Sequence, residues 1–218
     1  MIAVIEGMDA SGKATHSKLL AERMKAKHFS FPNYESVTGK VILGHLKKAW
    51  ACRIEEAGKS FEAWQVTEKA IDALAFQALQ TANRLEIMPD ILAAQKAGAV
   101  VFDRYWQSAV VYGVLDGLSP ELTYRIQAGA LPQADANILI DIPVEEGFKR
   151  RPERRDRYEE DAGYLGKVRS GYLRLWGERG DRGKHGVEAE RWLVVDGMGT
   201  VEEVAERINN AVVKAVGA

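Results

Sequence analysis

Short apolar runs punctuate the chain at residues 2–5, 100–102, 138–142 and 192–195, with a weaker run at 28–31. Runs this short, apolar at successive positions, predict strands buried on both faces of a parallel sheet. One or more helical stretches separate each run from the next. That alternation predicts an α/β fold, a mostly parallel five-stranded sheet flanked by helices on both faces. Right-handed crossovers then restrict the topology. In such sheets ligands bind at the carboxyl ends of the strands, and the chemically distinctive residues of this chain follow the runs.

Residues 62–87 read as one long helix. Ile71, Leu74, Ala75, Ala78 and Ala82 share a face at helical spacing and are expected to pack inward. Gln77, Gln80 and Arg84 lie opposite and are read as a solvated polar face. The alternative is that this stripe lines a substrate cleft.

The 218 residues fit one domain, with no internal repeat and no linker rich in Pro, Gly or Ser. Such a length buries a core without covalent staples, and the single cysteine, Cys52, excludes an internal disulfide. The first residues lack a signal peptide's basic start and apolar core. No apolar run is long enough to cross a bilayer. A cytoplasmic protein is expected. A net charge of −1 gives no global attraction for nucleic acid or membrane, so anion binding must come from local clusters.

The first strand runs directly into Gly7-Met8-Asp9-Ala10-Ser11-Gly12-Lys13-Ala14-Thr15, ahead of a helix. This is the setting of a phosphate-binding P-loop. Glycines let backbone N–H groups turn around phosphate oxygens, and the helix N-terminus adds a favourable dipole. Gly7, Ser11, Gly12, Lys13, Ala14 and Thr15 are the candidate ATP-binding residues, with Lys13 reaching the β- and γ-phosphates. Ala14 stands where the usual pattern has Ser or Thr, whose hydroxyl touches Mg²⁺. Thr15 is rotated by about 100° from that position and does not replace it.

The run at 100–102 ends in Asp103-Arg104-Tyr105. An acid at the tip of a buried strand beside a P-loop is placed to organise Mg²⁺, directly or through water, so Asp103 is the candidate metal residue. Arg104 can fork onto a phosphate. Further on, six of the nine residues from Lys149 to Arg157 are basic. A solvated helix end and a nucleic-acid arm are the other readings, but the balanced charge weighs against the arm. A lid over residues 149–160 that closes on polyphosphate suits the chemistry. Phosphoryl transfer between two nucleotides needs several converging cations, some arriving late. No general base is required, because a phosphate monoester with a second pKa near ~6 is a dianion at neutral pH. The chain has no guanine-reading Asn-Lys-x-Asp segment, which excludes a GTP switch. A nucleotide-binding protein without catalysis remains the non-enzyme alternative.

These motifs, with Phe31-Pro32, Thr38-Gly39-Lys40, Ala82-Asn83-Arg84, Leu139-Ile140-Asp141, Asp156-Arg157-Tyr158-Glu159 and the segment from 168 to 173, resemble the thymidylate kinase family in its order and over nearly the whole chain. The resemblance implies a P-loop kinase fold with a mobile lid and a homodimer using Mg²⁺-ATP to phosphorylate dTMP. It implies that Asp9 faces the acceptor sugar and Arg104, and that Phe31 and Pro32 wall the base pocket. Arg84 would contact the base and Arg104 would clamp the acceptor phosphate, with Tyr105 beside it. Tyr112 would crowd the sugar 2′ position, Tyr158 would close over the acceptor, and Arg150 would lie on adenine. Because the loop carries Ala10, the catalytic arginine would come from the lid, as Arg151, Arg154 or Arg155. The chain departs from the family where Asn33-Tyr34 follows Phe-Pro in place of an arginine. It departs again where Gln80 replaces an aromatic that stacks on thymine, with Phe76, Tyr34 or Trp64 as substitutes. A modified pyrimidine or another deoxynucleoside monophosphate is the alternative acceptor.

Overall fold

The computed structural model describes residues 1–46, 53–56, 59–62, 69–128, 131–151, 162–176 and 192–217. Five strands form one parallel sheet in the order β2-β5-β1-β6-β7: β1 (Ile2–Glu6), β2 (Lys27–Ser30), β5 (Val100–Asp103), β6 (Ala136–Asp141) and β7 (Trp192–Asp196). Every neighbouring pair in this sheet is parallel. The expected sheet is the observed one. The structure adds a two-stranded antiparallel sheet, β3 (Arg53–Glu56) with β4 (Lys59–Glu62), that the apolar runs do not predict.

Side chains alternate across the central sheet, as strand geometry requires. Ala3 and Ile5 of β1 join Val101, Ile138 and Ile140 under α1 (Lys13–Met24) and α9 (Val201–Val216), which contribute Leu20, Val204, Ile208 and Val212. Ile2 and Val4 face the other way, with Val100, Phe102 and Leu139. That second core is covered by α4 (Met88–Ala97), α5 (Trp106–Leu115) and α8 (Ala162–Trp176), through Ile91, Trp106, Val110, Val168 and Tyr172. Truncating such a side chain to alanine costs about 2–5 kcal/mol. The amphipathic α9 opens with a capping box, in which Thr200 accepts from the Glu203 amide and the Glu203 carboxylate accepts from the Thr200 amide.

Two readings of the segment from 62 to 87 are corrected. Glu62 belongs to β4, and the helix, α3, spans Lys69–Glu86. Its polarity is also reversed. Gln77 and Arg84 are 0% and 2% exposed, whereas Leu74 is 40% exposed and Ala78 is exposed. The reason lies in distant partners. Gln127 of α6 (Pro120–Ala128) donates through Nε2 to both the backbone oxygen and Oε1 of Gln77, each at 3.0 Å. Arg84 donates to the backbone oxygens of Gln80 and Tyr105, each at 2.6 Å. These bonds let the polar face turn inward, although Gln77 Nε2 and Arg84 Nε keep no partner among the described residues.

Register sets the site. Ile5 and Ser30 both align with Asp103, and Ile5 also with Ile138. The carboxyl ends of β1, β2 and β5 therefore meet on one edge, and the loop after β1 leaves from the middle of the sheet. Among the described residues no helix is long and apolar enough to cross a membrane.

Candidate active site

The loop between β1 and α1 has the backbone its sequence implies. Gly7 (φ +150°) passes so close to β6 that an added Cβ would stand 2.5 Å from the Ile140 oxygen. Gly12 (φ +93°) precedes α1, whose N-terminus has no side-chain cap. Uncapped amides at a helix N-terminus are an anion site. Ala10 holds φ +64°, a left-handed conformation that costs an alanine about 1–2 kcal/mol. Ser11 is buried beneath the loop, while Ala14 and Thr15 are exposed on the first turn of α1. Lys13 is 6% exposed; its Nζ donates to the Met8 oxygen at 2.7 Å and lies 3.7 Å from Asp9 Oδ1. Burial and then the nearby Arg104 charge lower its ammonium to about 8, against the opposing pull of Asp9, Asp103 and Glu6.

Asp9 is the hub of a cluster with Lys13, Arg104 and Tyr112. Its Oδ1 is paired with Arg104 and its Oδ2 accepts from Tyr112 Oη at 3.1 Å. Burial acts to raise this carboxyl, but Arg104, Lys13 and the Tyr112 hydroxyl outweigh it and hold it at about 2. Arg104 sits between β5 and α5 in a left-handed conformation (φ +61°) and places its guanidinium 5.8 Å from the Tyr112 ring.

Beside this pair opens a cavity of about 480 Å³. Phe31, Pro32, Tyr34, Phe76, Gln77, Gln80 and Arg84 line one end, and Asp9, Asp103, Arg104, Ser108, Tyr112 and Arg151 line the other. The stripe on α3 is thus a cleft lining. The Arg84 guanidinium lies 5.4 Å over the Phe31 ring, and its Nε has no hydrogen-bond partner among the described residues. Phe76 reaches the cavity while stacked on His45 of α2 (Val37–Leu46), with centroids 4.5 Å apart. The wall is held by Asn83, which accepts from the Asn33 amide at 2.8 Å and donates to Ser36 Oγ and Thr38 Oγ1 at 2.9 and 3.0 Å. Gly39 makes this turn possible, since an added Cβ would stand 1.7 Å from the Asn33 oxygen.

Tyr105 is placed differently from expectation. It is fully buried, stacked on Phe102 at 4.4 Å, and supports Phe31 from beneath instead of lining the cavity. Arg150 of α7 (Val144–Arg150) donates from Nε to Glu146 Oε1 at 3.0 Å and from Nη2 to the Gly197 oxygen at 2.9 Å. Arg151 follows α7 and contributes to the lining of the cavity. Arg154, Arg155 and Tyr158, with lid residues 152–160, lie outside the described residues, as do Trp64 and Cys52.

For a divalent cation, the chain offers Asp103. Its Oδ2 accepts from Ser30 Oγ at 3.3 Å, while its buried Oδ1 has no partner among the described residues. No group of three His, Cys, Asp or Glu residues suited to a metal occurs among those residues. A hydrated cation sharing its ligands with polyphosphate fits such a site better than an all-protein cage.

Sequence reasoning passed over three participants: Glu6, Ser108 and Tyr172. Glu6 is 0% exposed and accepts from both hydroxyls. The signals were an acid closing an otherwise apolar strand, and Ser108 midway between Arg104 and Tyr112 at helical spacing.

A family model for thymidylate kinase matches residues 5–208. A probable thymidylate kinase of Pyrococcus abyssi is 31% identical, with 94% of this chain and 92% of that protein covered. One of Methanococcus maripaludis is 28% identical, over 98% and 95%. The solved thymidylate kinase of Candida albicans superposes with a TM-score of 0.69 at 23% identity, covering 98% of this chain and 90% of the other, which shows a shared fold.

Proposed function

The chain belongs to the thymidylate kinase family of P-loop kinase-type enzymes, and from that premise we propose that it transfers the γ-phosphoryl group of ATP to dTMP, giving dTDP and ADP. The observation that carries this reading is the sharing of one carboxylate. Asp9 Oδ1 faces Lys13 of the donor cradle at 3.7 Å and is also paired with Arg104, which lines the acceptor cavity. Donor and acceptor phosphates bound to those two cations would meet beside Asp9.

An acceptor-phosphate oxygen attacks the γ-phosphorus, the bond from γ-phosphorus to the β–γ bridging oxygen breaks, and ADP leaves with those electrons. The acceptor dianion needs no proton removed. Lys13, Arg104 and Arg151 offset the charge spread over the transferring oxygens, and Arg154 and Arg155 would join from the lid. Gly7, Ser11, Gly12 and Lys13 shape the donor cradle, and Ala14 and Thr15 open its helix. Arg150, fixed by Glu146 and Gly197, is oriented for adenine. Phe31, Pro32, Gln80 and Arg84 surround the base; Tyr112 holds the sugar side; Tyr158 would close over it. Mg²⁺ would be held through Asp103 and water, and would supply positive charge that offsets the charge of the donor phosphates.

Gln80 supports a second reading. Its carboxamide lines the cavity where an aromatic stack would otherwise sit, so a modified pyrimidine or other deoxynucleotide is the alternative acceptor. A coupled ADP-release assay with Mg²⁺-ATP against dTMP, dUMP, dCMP, dAMP and dGMP separates these. Dominant turnover on dTMP supports the first reading, another preferred acceptor supports the second, and absence of turnover overturns both.

The proposal extends to a cytoplasmic homodimer. The apolar stripe of α3 turned to solvent at Leu74 and Ala78 supports a second copy covering it. Light scattering giving twice the 24.1 kDa chain mass is the expected result.

A further inference from the structure

We infer that Glu6 is a positioning residue for the acceptor-phosphate cation: its buried carboxylate orients Arg104 through the hydroxyls of Ser108 and Tyr172. The phosphate-clamping role of Arg104 rests on the function proposed above, whereas its orientation by Glu6 does not.

Strand alternation puts Glu6 on the same face as Ile2 and Val4, toward α5 and α8, and leaves it 0% exposed. An unpaired carboxylate there would be strongly destabilising. Among the described residues no cation lies within ion-pair distance of it. Four donors hold it instead. The Tyr105 and Ser108 amides donate to Oε1 at 2.8 and 3.1 Å, and Ser108 Oγ and Tyr172 Oη donate to Oε2 at 2.5 and 2.9 Å. The two amides belong to the start of α5, where Tyr105 supplies no side-chain cap. A carboxylate from β1 therefore caps that helix and meets its positive end.

The polarity of the hydroxyls then follows. An ionised carboxylate only accepts, and each hydroxyl has one proton. Ser108 Oγ and Tyr172 Oη also lie 3.0 Å apart, but a proton shared between them would leave one of these oxygens facing the carboxylate without a hydrogen; with each proton spent on Glu6, their oxygens are left as acceptors for Arg104. Nη1 of Arg104 donates to Ser108 Oγ at 3.4 Å and to Tyr172 Oη at 3.5 Å. Meanwhile Nη2 is held by Asp9, and the Arg104 amide donates to the Ile5 oxygen at 3.0 Å. The end of β1 thus fixes a residue that its own backbone conformation disfavours. When a phosphate displaces Asp9 from Nη2, the link through Nη1 keeps the guanidinium aimed. Glu6 touches no reacting atom in this arrangement.

The test uses Glu6→Gln, with Ser108→Ala as a second variant that keeps the helix cap should Glu6→Gln fold poorly. Two readouts are taken on folded protein: steady-state constants for both substrates, and the Nε–H resonance of Arg104 in arginine-labelled protein, assigned with Arg104→Lys. Expected is a rise in acceptor KM on the order of tenfold with ATP KM within about twofold. Glu6→Gln should add nothing further on an Arg104→Ala background. The dispersed Arg104 resonance should collapse into the envelope of mobile arginines in both variants. A purely structural role would lower the melting temperature while leaving acceptor KM and the resonance of the folded fraction unchanged, and that result overturns the inference. If the wild-type protein turns over no nucleoside monophosphate, the kinase reading fails separately. The resonance then decides alone: persistence in the variants overturns the positioning role, and loss upholds it.

Discussion

Arg104, at the end of β5, closes an ion pair with Asp9 of the loop after β1 although 95 residues separate them, and the two side chains are only 16% and 20% exposed. The Asp9 carboxyl is held at about 2 against a usual 3.8. A depressed carboxyl stabilises the fold above its unfolded pKa and loses that contribution as pH falls through the folded value. The shift corresponds to about 2 kcal/mol, fully present above about pH 5. Asp9→Asn should therefore be less stable than wild type by about 2 kcal/mol at pH 7, with the gap narrowing by about half at pH 3. Urea unfolding at the two pH values measures this; an unchanged gap would mean that the carboxyl titrates normally.

Lys13 should give the enzyme an alkaline limb. Burial, followed by the Arg104 charge, brings its ammonium to about 8, and a neutral lysine cannot hold polyphosphate. For ATP, kcat/KM should fall above about pH 8. Stability moves the opposite way. The unfolded lysine keeps its proton up to about 10.5, so the unfolded state binds more protons from 8 to 10.5 and folding stability rises across that window. Lys13→Arg should shift the activity limb upward even as peak activity drops, and Lys13→Ala should lower kcat/KM on the order of 100-fold. A pH profile of initial rates distinguishes these outcomes.

What could be read from the sequence, and what could not, divides along one physical line. The five strands and the P-loop announce themselves locally, through apolar runs and glycines within a few residues of one another. The hairpin does not, because Arg53-Ile54-Glu55-Glu56 and Lys59-Ser60-Phe61-Glu62 each carry a single large apolar side chain. Nor does the inward turn of α3, since Gln77 and Arg84 depend on Gln127 and Tyr105, which are 50 and 21 residues further along. Polar side chains at helical spacing read as solvated until their partners are known. Glu6 is a similar case: its identity is plain, but two of its donors come from Ser108 and one from Tyr172, 102 and 166 residues away.

Gln80 should respond to restoration of an aromatic ring. It lines the cavity one turn from both Phe76 and Arg84. A base–aromatic stack contributes ~1–3 kcal/mol. Gln80→Phe should therefore lower the dissociation constant for dTMP by about tenfold. Phe76→Leu, which keeps most of the buried volume, should raise it if the Phe76 ring already stacks on the base. Isothermal titration with dTMP checks both. An unchanged affinity in Gln80→Phe would place the base elsewhere in the cavity.

Ala14 makes metal dependence the sharpest test of the donor site. Its methyl group occupies the first turn of α1 where a hydroxyl would reach Mg²⁺. Asp103 Oδ1, which has no partner among the described residues, is the group proposed above to hold the cation's water. Chelation with EDTA should abolish turnover. Ala14→Thr adds a ligand without crowding, because the side chain is exposed, and should lower the half-saturating Mg²⁺ concentration on the order of tenfold, the lower end of what a hydrogen bond to a charged group contributes. Asp103→Asn keeps the shape but removes the charge, and should raise that concentration by at least as much. The two effects should be non-additive in the double variant if both groups act on one ion. Activity titrated with Mg²⁺ at saturating ATP and acceptor provides the measurement. Additive, unconnected effects would mean that Asp103 acts on Lys13 and the loop instead of on the metal.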